Sequence, residues 1–255
     1  MTTIKKKLAI VSVAMFVALI ILHENNLFAQ TSAKQQILVD ISHGQKFYND
    51  PANMAGKDTA FIARIKYMTG ELIKNASSLK AEVSYLKTGI TPNALVNCDL
   101  LFIHMPSSKF SAEDTKAIHE YLQKGGSLFL VMEVDYWSSL AQANVNDIVS
   151  PFGIVFKTDN PDTKSSGGYS KAGPVTKKQF SIPYHGARIV QGGTAFCFSN
   201  QTKDYPFGIY KEIKNGGKII AMGDGMVSLY MTKWENVDNY QCSEFMHDVF
   251  AWLLK

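Results

Sequence analysis

The chain has 255 residues, of which 46% are hydrophobic and 19% are charged, a composition typical of one ordinary globular domain. Its formal net charge is +4. The basic residues are scattered except for the pair Lys177-Lys178, so we expect no nucleic-acid partner.

The amino-terminal segment has the three parts of a secretory signal peptide. The basic stretch Lys5-Lys6-Lys7 precedes an uncharged apolar run over residues 8–22, and Ala29 offers a small residue for cleavage. The apolar run is short for a spanning helix, which needs about 20 residues. We therefore predict a signal peptide over 1–29, an exported (periplasmic or secreted) mature chain, and no stable membrane insertion; an uncleaved anchor is the alternative.

Residues 30–255 are predicted to form a single α/β domain, which begins with alternating strands and helices. The apolar run at 36–41 indicates a strand, and apolar residues at helical spacing indicate a helix over 58–76. Two further strands are predicted at 81–86 and 99–105.

The same alternation continues through the middle of the chain. Ser111 is the predicted N-cap of a helix that stops at Gly125-Gly126, and it is followed by a strand over 127–132. A helix is predicted over 137–149. Such alternation predicts parallel strands joined by crossover helices, in an open sheet of the flavodoxin type with helices on both faces.

The segment from about 158 to 205 has a different composition, rich in Gly, Ser, Lys and Pro, and predicts an irregular β-insertion. Residues 207–213 and 218–222 flank Asn215-Gly216-Gly217 and predict a hairpin that returns to the sheet. An amphipathic helix is predicted over 240–254. The three cysteines (Cys98, Cys197, Cys242) are too far apart for a metal-binding pair, and we expect buried structural thiols.

Four apolar strands are each followed by polar residues that can do chemistry. His43 follows the first strand, His104 ends the third, Glu133 follows the fourth, and Asp224 follows the last. In an open α/β sheet the crevice beyond the carboxyl ends of parallel strands is where ligands bind. The sequence therefore predicts that these residues converge on one site, which is the main reason to expect an enzyme.

The pattern over 36–157 and 218–254 resembles the class I glutamine amidotransferase-like superfamily. The resemblance rests on Cys98 to His104, on Lys124-Gly125-Gly126 before the strand that leads to Glu133, and on Gly223-Asp224-Gly225. Active amidotransferases place a nucleophilic cysteine on the turn where this chain has Glu133. The resemblance is therefore to a branch that lacks the nucleophile.

Within that branch, the mature chain resembles the oligosaccharide dehydratases of ulvan breakdown. This resemblance implies a hydro-lyase that removes water from a non-reducing-end uronic acid and leaves an unsaturated uronate. The residue types and their positions after the predicted strands give the catalytic residues expected for this reaction, which are His43, His104, Glu133, Tyr184 and His185. The substrate-binding residues expected are Gln45, Lys46, Tyr48, Ser107, Tyr136, Arg188 and Asp224.

Residue chemistry assigns roles to these groups for a uronate substrate. Arg188, with Lys46 in reserve, is expected to hold the carboxylate as it gains enolate character. His43 or His104 would be the base, and Tyr184, His185 or the second of those histidines would be the acid. Glu133 would orient one imidazole.

Other functions stay open at this point. The same crevice in a non-catalytic module would bind a carbohydrate or a protein without turnover. Glu133 and Asp224 are the paired carboxylates that a glycosidase would use. No cofactor is expected; a metal held by His43, His104, Glu133 and Asp224 is not excluded, and the oligomeric state is left open.

Overall fold

The computed structural model describes residues 34–159, 166–186, 188–201, 205–233 and 236–255. Residues 35–255 form one compact unit. The predicted signal peptide over 1–29 lies outside the described residues. Within the described ranges, no helix combines the length and the apolar character that crossing a bilayer requires.

The described residues form eleven strands and four α-helices. The strands are β1 Gln35–Asp40, β2 Ala81–Leu86, β3 Leu100–His104, β4 Ser127–Val131, β5 Val155–Asp159, β6 Gly168–Ser170, β7 Phe180–Ile182, β8 Arg188–Gln191, β9 Thr194–Ser199, β10 Pro206–Glu212 and β11 Lys218–Met222. The helices are α1 Thr59–Ser78, α2 Ala112–Gln123, α3 Val145–Val149 and α4 Cys242–Leu253.

Nine of the strands form one sheet in the order β2-β1-β3-β4-β11-β10-β9-β6-β7. The first five run parallel, and the remaining four alternate in direction. Every residue of β3 and β4 is buried, which is why these strands have continuous apolar sequences instead of alternating ones. The predicted fold class, an α/β sheet of the flavodoxin type with flanking helices, is confirmed.

The two faces of the sheet are covered by different helices. Helices α1 and α4 pack on one face, where Phe102 and Phe129 stack with ring centroids 5.0 Å apart and Phe250 meets them edge-on. Helices α2 and α3 cover the other face through Ile118 and Ile148. Two separate hydrophobic cores therefore fix the central strands from both sides.

Helix α2 begins with the side-chain cap that the sequence predicted. The Ser111 hydroxyl accepts the backbone N–H of Asp114 at 3.0 Å, and the Asp114 carboxylate accepts the backbone N–H of Ser111 at 2.9 Å. This reciprocal pair satisfies two N–H groups that a helix start otherwise leaves without partners. It also fixes the position of Asp114 beneath the loop that follows β1.

The helix predicted over 137–149 is wrong for its first half, because only Val145–Val149 is α-helical. The backbone between Asp135 and Asn144 is held in turns by side chains instead. The Ser138 hydroxyl donates to the Pro106 carbonyl at 2.7 Å, and the Asn144 side chain bonds the Phe110 backbone in both directions. Such local side-chain bonds compete with helix formation.

The segment predicted as an irregular insertion contributes regular strands to the sheet. Its pieces β6, β7 and β9 extend the main sheet antiparallel, whereas β8 pairs with β5 in a separate two-stranded sheet. The predicted hairpin of β10 and β11 joins this extension to the parallel strands. The amino end of β8 comes close to β11, since the Arg188 backbone N–H donates to the Gly223 carbonyl at 3.0 Å.

Phe102→Ala should lower the free energy of unfolding by about 3–5 kcal/mol, because the change removes a fully buried ring from the stacked core. Urea denaturation measures this loss. Tyr136→Ala, at a position that is 79% exposed, should shift stability by no more than about 0.5 kcal/mol. Equal losses in the two variants would contradict the assignment of the core.

Candidate functional site

Five elements bring polar side chains to the edge where the parallel strands end. His43 follows β1, His104 ends β3, Glu133 follows β4, Asp224 follows β11, and Arg188 begins β8. His43 is 5% exposed and the other four side chains are fully buried. A molecule outside the folded chain therefore reaches very little of the chemistry that the sequence places here.

His43 is held between two carboxylates. Its Nδ1 lies 2.7 Å from Asp40 Oδ2, its Nε2 lies 3.4 Å from Asp114 Oδ2, and its ring stacks on Phe110 with centroids 3.9 Å apart. Asp40 also accepts a hydrogen bond from Gln45 at 2.9 Å. The imidazole thus joins the end of β1 to the start of α2.

The two carboxylates decide the charge of this imidazole. Burial opposes protonation of His43, but the hydrogen bond and negative charge of Asp40, together with Asp114, outweigh it and raise the pKa of His43 above 6.5. Burial likewise opposes ionisation of Asp114, yet hydrogen bonds from Ser111 and the Ile90 backbone, with His43 nearby, lower the pKa of that carboxyl. The pair therefore favours an imidazolium beside a carboxylate.

Ser107 and Gly44 close the loop over His43. The Ser107 backbone N–H donates to the His43 carbonyl at 2.9 Å, and its hydroxyl donates to the Gly44 carbonyl at 2.7 Å. Gly44 has φ +70°, and a Cβ there would lie 2.5 Å from the Ser107 hydroxyl oxygen. Only glycine fits this turn without strain.

His104 sits in an aromatic cage and makes no hydrogen bond through either ring nitrogen within the described residues. Tyr48, Phe102 and Phe47 meet its ring edge-on, with centroids 5.0, 5.8 and 6.3 Å away. Burial lowers the pKa of His104 to about 3, and the nearby Gly225 backbone offsets only part of that shift. The imidazole is therefore neutral at physiological pH and packs as an aromatic ring.

Glu133 and Asp224 are buried carboxyls whose oxygens accept backbone N–H groups. Glu133 accepts from Gly225 at 2.9 Å and from Val134 at 3.1 Å. Asp224 accepts from His185 at 2.6 Å and from Met226 at 2.8 Å. The two acids therefore hold the loops that follow β4 and β11.

Burial disfavours the ionisation of both acids. Burial, followed by the negative charge of Asp224, raises the pKa of Glu133 well above its ordinary value, and burial raises the pKa of Asp224 to about 6. The positive charge of Arg188 offsets part of the effect on Glu133. Burial and the neighbouring acid thus both favour the protonated form of Glu133, and the cost of burying an ionised carboxylate is the physical reason.

Arg188 is fully buried and binds the turns that replace the predicted helix. Its Nη2 donates to the Ser138 carbonyl at 3.0 Å and to Asp135 Oδ1, and its Nη1 donates to the Lys157 carbonyl at 3.4 Å. The hydrogen bond from Arg188 lowers the pKa of Asp135. The guanidinium predicted to hold a substrate carboxylate is thus already bonded to a carboxylate of its own chain.

The remaining predicted site residues divide between the interior and the surface. Tyr48 is buried and donates to the Ser228 carbonyl at 2.5 Å, and Tyr184 is buried with its ring 5.0 Å from that of Phe207. His185 is half-buried beside Asp224. Lys46 and Tyr136 are exposed at the surface of this edge.

Lys46, Tyr136 and Trp137 form one cluster at the surface, which we name the aromatic rim. The Tyr136 and Trp137 rings meet edge-on at 4.8 Å, and the Lys46 ammonium lies 5.4 Å from the Trp137 ring centroid. Trp137 is half-buried and also packs against Phe47 at 5.6 Å. The rim is therefore anchored to the same core that encloses His104.

Sequence reasoning missed two residues that build this edge. Neither Asp114 nor Phe110 is among the site residues that the sequence predicts. The spacing Ser111-x-x-Asp114 is a capping signal, so the position of Asp114 was available from the sequence. Its contact with His43 was not, because the two residues are far apart in the chain.

The structure gives no support for thiol chemistry at this edge. Glu133 occupies the turn after β4, and the described cysteines are free thiols at Cys98, Cys197 and Cys242. Burial raises the pKa of Cys98 to about 11 and that of Cys197 well above its ordinary value, so neither is a ready nucleophile. Among the described residues, no group of three or more His, Cys, Asp or Glu side chains could hold a metal ion.

Comparisons with known proteins point to a different family from the one that the sequence suggested for function. The family model "IFT52 GIFT domain" matches residues 66–166. The solved structure titled "mmIFT52 N-terminal domain" is 18% identical, covers 86% of this chain and 97% of its own, and has a TM-score of 0.62. No curated protein matches the chain.

Two further solved structures are similar to this chain. A cytoplasmic protein from Salmonella typhimurium is 12% identical, covers 86% of this chain and 97% of its own, and has a TM-score of 0.55. A putative GMP synthase protein from Thermoplasma acidophilum is 11% identical, with 87% and 92% coverage and a TM-score of 0.49. The similarity to the Salmonella typhimurium protein supports the fold, an α/β sheet with flanking helices.

The predicted function is wrong. The match to the IFT52 GIFT domain and the similarity to the mmIFT52 domain contradict an exported hydro-lyase, an oligosaccharide substrate and a role in ulvan degradation. They also contradict the predicted periplasmic or secreted location, because the matched family is one of intraflagellar transport. The error arose because buried structural acids and imidazoles have the same residue types as a catalytic site.

Stability should depend on pH through His43. The pKa of His43 is higher in the folded chain than in the unfolded one. The contribution of His43 to the free energy of unfolding is therefore fully present below the unfolded pKa of about 6.5, and it is lost as the pH rises through the folded pKa. The stability difference between the native chain and His43→Gln, measured by urea denaturation from about pH 5.5 to about pH 9, should shrink as pH rises. A difference that stays constant over this range would contradict the paired imidazolium.

Replacing the caged imidazole with an apolar group should not weaken the fold. His104→Leu removes two buried nitrogens that make no hydrogen bond in the described structure, and each such group costs about 1–3 kcal/mol when left unsatisfied. We expect thermal and urea denaturation to show equal or greater stability. A loss above about 1 kcal/mol would show instead that the imidazole makes a stabilising interaction.

Proposed function

We propose that this chain is a non-catalytic protein-binding domain that contacts its partner through the aromatic rim. In this proposal the polar residues at the carboxyl edge hold the loops in place, and the surface residues Lys46, Tyr136 and Trp137 make the contact. Gln45 and Ser107, predicted to bind substrate, support the rim from the neighbouring loops.

The observation on which the proposal rests is that four of the five predicted catalytic side chains are buried, His185 being the half-buried one. His104, Glu133 and Tyr184 are fully buried, and both Glu133 oxygens accept backbone N–H groups. A general base has to lie within hydrogen-bond reach of the proton it removes. The proposal therefore places the chain in a branch of the superfamily that lacks the nucleophile and uses the fold for assembly.

The match to the IFT52 GIFT domain supports the same reading. It spans residues 66–166, which include β3, β4 and the rim residues Tyr136 and Trp137. IFT52 is an intraflagellar transport protein. By analogy we propose that the partner is a protein component of a multi-protein transport assembly.

The rim has the physical character of a protein-binding hot spot. Tyr136 is 79% exposed, although large aromatic side chains are usually buried. Tyrosine and tryptophan are enriched at the energetic centres of interfaces because they bury a large area with few rotatable bonds. The contacts of Trp137 with Phe47 and Lys46 hold the ring in place before a partner arrives.

Tyr136→Ala should abolish or strongly weaken partner binding while leaving the fold intact. Partners are first identified by crosslinking in the source cells, and one purified partner is then titrated calorimetrically against each variant. Loss of an aromatic hot spot of about 2 kcal/mol corresponds to about a thirtyfold weaker Kd.

The matched control is Lys116→Gln, an exposed substitution on α2 whose side chain is 78% exposed. It should bind the partner within about twofold of the native chain, because surface charges away from an interface contribute little. Native affinity in Tyr136→Ala, or an equal loss in both variants, would rule out the rim as the binding surface.

A further inference from the structure

A second concave surface, distant in sequence from the aromatic rim, is lined by lysines. It lies between α1, the loop that leads into β7, and α4, and has a volume of about 580 Å³. We name it the lysine groove, and its lining residues are Lys74, Asn75, Lys177, Lys178, Phe180, Ser243, Glu244, His247 and Asp248. The volume lies within the range of ligand-binding clefts, about 300–1,000 Å³.

The loop that presents Lys177 and Lys178 is built in advance of any ligand. The Lys177 backbone N–H donates to Asp248 Oδ2 at 2.9 Å, and the Thr176 hydroxyl donates to the Lys171 carbonyl at 2.6 Å. The Phe180 backbone N–H donates to the Ser170 hydroxyl at 3.1 Å. These bonds fix the backbone on both sides of the two lysines, so their positions need little ordering on binding.

The charge of the groove is positive where it faces solvent. Lys74, Lys177 and Lys178 are all exposed. Asp248 is 7% exposed and already accepts the Lys177 backbone N–H, and its other oxygen lies 3.9 Å from the Lys177 ammonium. Glu244 is the one exposed acid among the described lining residues. With Asp248, the lining has three ammonium groups and two carboxylates, a net charge of 3 − 2 = +1, and the Lys74 ammonium also lies 3.7 Å from Glu71 Oε1.

The groove presents its positive charge as separate ammonium groups. The described residues that line it include no arginine, so it lacks the planar fork with which arginine binds a carboxylate or a phosphate through two parallel hydrogen bonds. Separate lysines act as point charges that match acidic side chains spaced along a peptide. Nucleic acid would need a broader basic face than one that includes Glu244 and Asp248.

We infer that the lysine groove binds an acidic segment, rich in Asp or Glu, of a partner protein. The pair Lys177-Lys178 provides two of the three lysines in this groove, and none of the three belongs to the aromatic rim. Lys178 is held over the Phe180 ring at 5.3 Å, which keeps its ammonium at the groove mouth. The lysines of the groove then attract the acidic segment, and the concave shape of the groove sets the position of that segment along the surface.

The test is fluorescence anisotropy with the full chain and a fluorescein-labelled peptide of ten glutamates, at low salt. The double variant Lys177→Gln/Lys178→Gln keeps both side-chain stems and the backbone bond to Asp248. It should bind the peptide about tenfold more weakly, since two attractive charges are lost. Lys74→Gln should give a smaller loss of the same sign.

Lys116→Gln is the matched control and should bind within about twofold of the native chain. Unchanged binding in the double variant would overturn the proposal. An equal loss of binding in Lys116→Gln would also overturn it, because it would show that the peptide is attracted non-specifically by the charge of the whole surface. Tighter binding of a single-stranded oligonucleotide of equal charge, lost in the same double variant, would also overturn it. Thermal denaturation of each variant separates lost binding from lost folding.

Discussion

Buried carboxylates that accept backbone N–H groups hold together the edge where the parallel strands end. Asp40 accepts from Ser42, Asp114 from Ile90 and Ser111, Glu133 from Val134 and Gly225, and Asp224 from His185 and Met226. Loops cannot be buried unless their N–H groups find partners. These acids supply the partners, and the loops in turn bury the acids.

The same arrangement explains why this edge looks catalytic in the sequence. Perturbed pKa values are typical of active sites, but structural networks produce them as well. Here the low pKa of His104 has burial as its main cause, and the raised pKa values of Glu133 and Asp224 begin with burial too. Lys46, Tyr136 and Trp137 of the aromatic rim reach solvent, as do the Asp135 carboxylate, whose side chain is 62% exposed, and the half-buried His185.

Much of the fold could be predicted from the sequence because local signals and global structure agree. Strands β3 and β4 appear as continuous apolar runs, and the Ser111 cap marks the start of α2 within one residue. The helix predicted for the segment before α3 was wrong because the side chains of Ser138 and Asn144 form hydrogen bonds with Pro106 and Phe110. Those contacts bring together chain segments that no local pattern connects.

For the site, the sequence could indicate which residues follow the parallel strands, but not how deeply they lie. Periodicity places His104 and Glu133 at strand ends. Periodicity does not show that the Gly225 backbone N–H donates a hydrogen bond to the Glu133 side chain, because Gly225 belongs to the loop after another strand. Function was misassigned at this step, where exposure rather than residue type decides what a side chain can do.

Native-state hydrogen exchange tests most directly whether this edge is closed. The amides of Val134, Gly225 and Met226, which donate to Glu133 and Asp224, should exchange with opening free energies close to that of global unfolding. The β3 amides provide the reference for global unfolding within the same experiment. Rapid exchange of these three amides, while β3 stays protected, would show that the edge opens locally and would contradict a closed structural network.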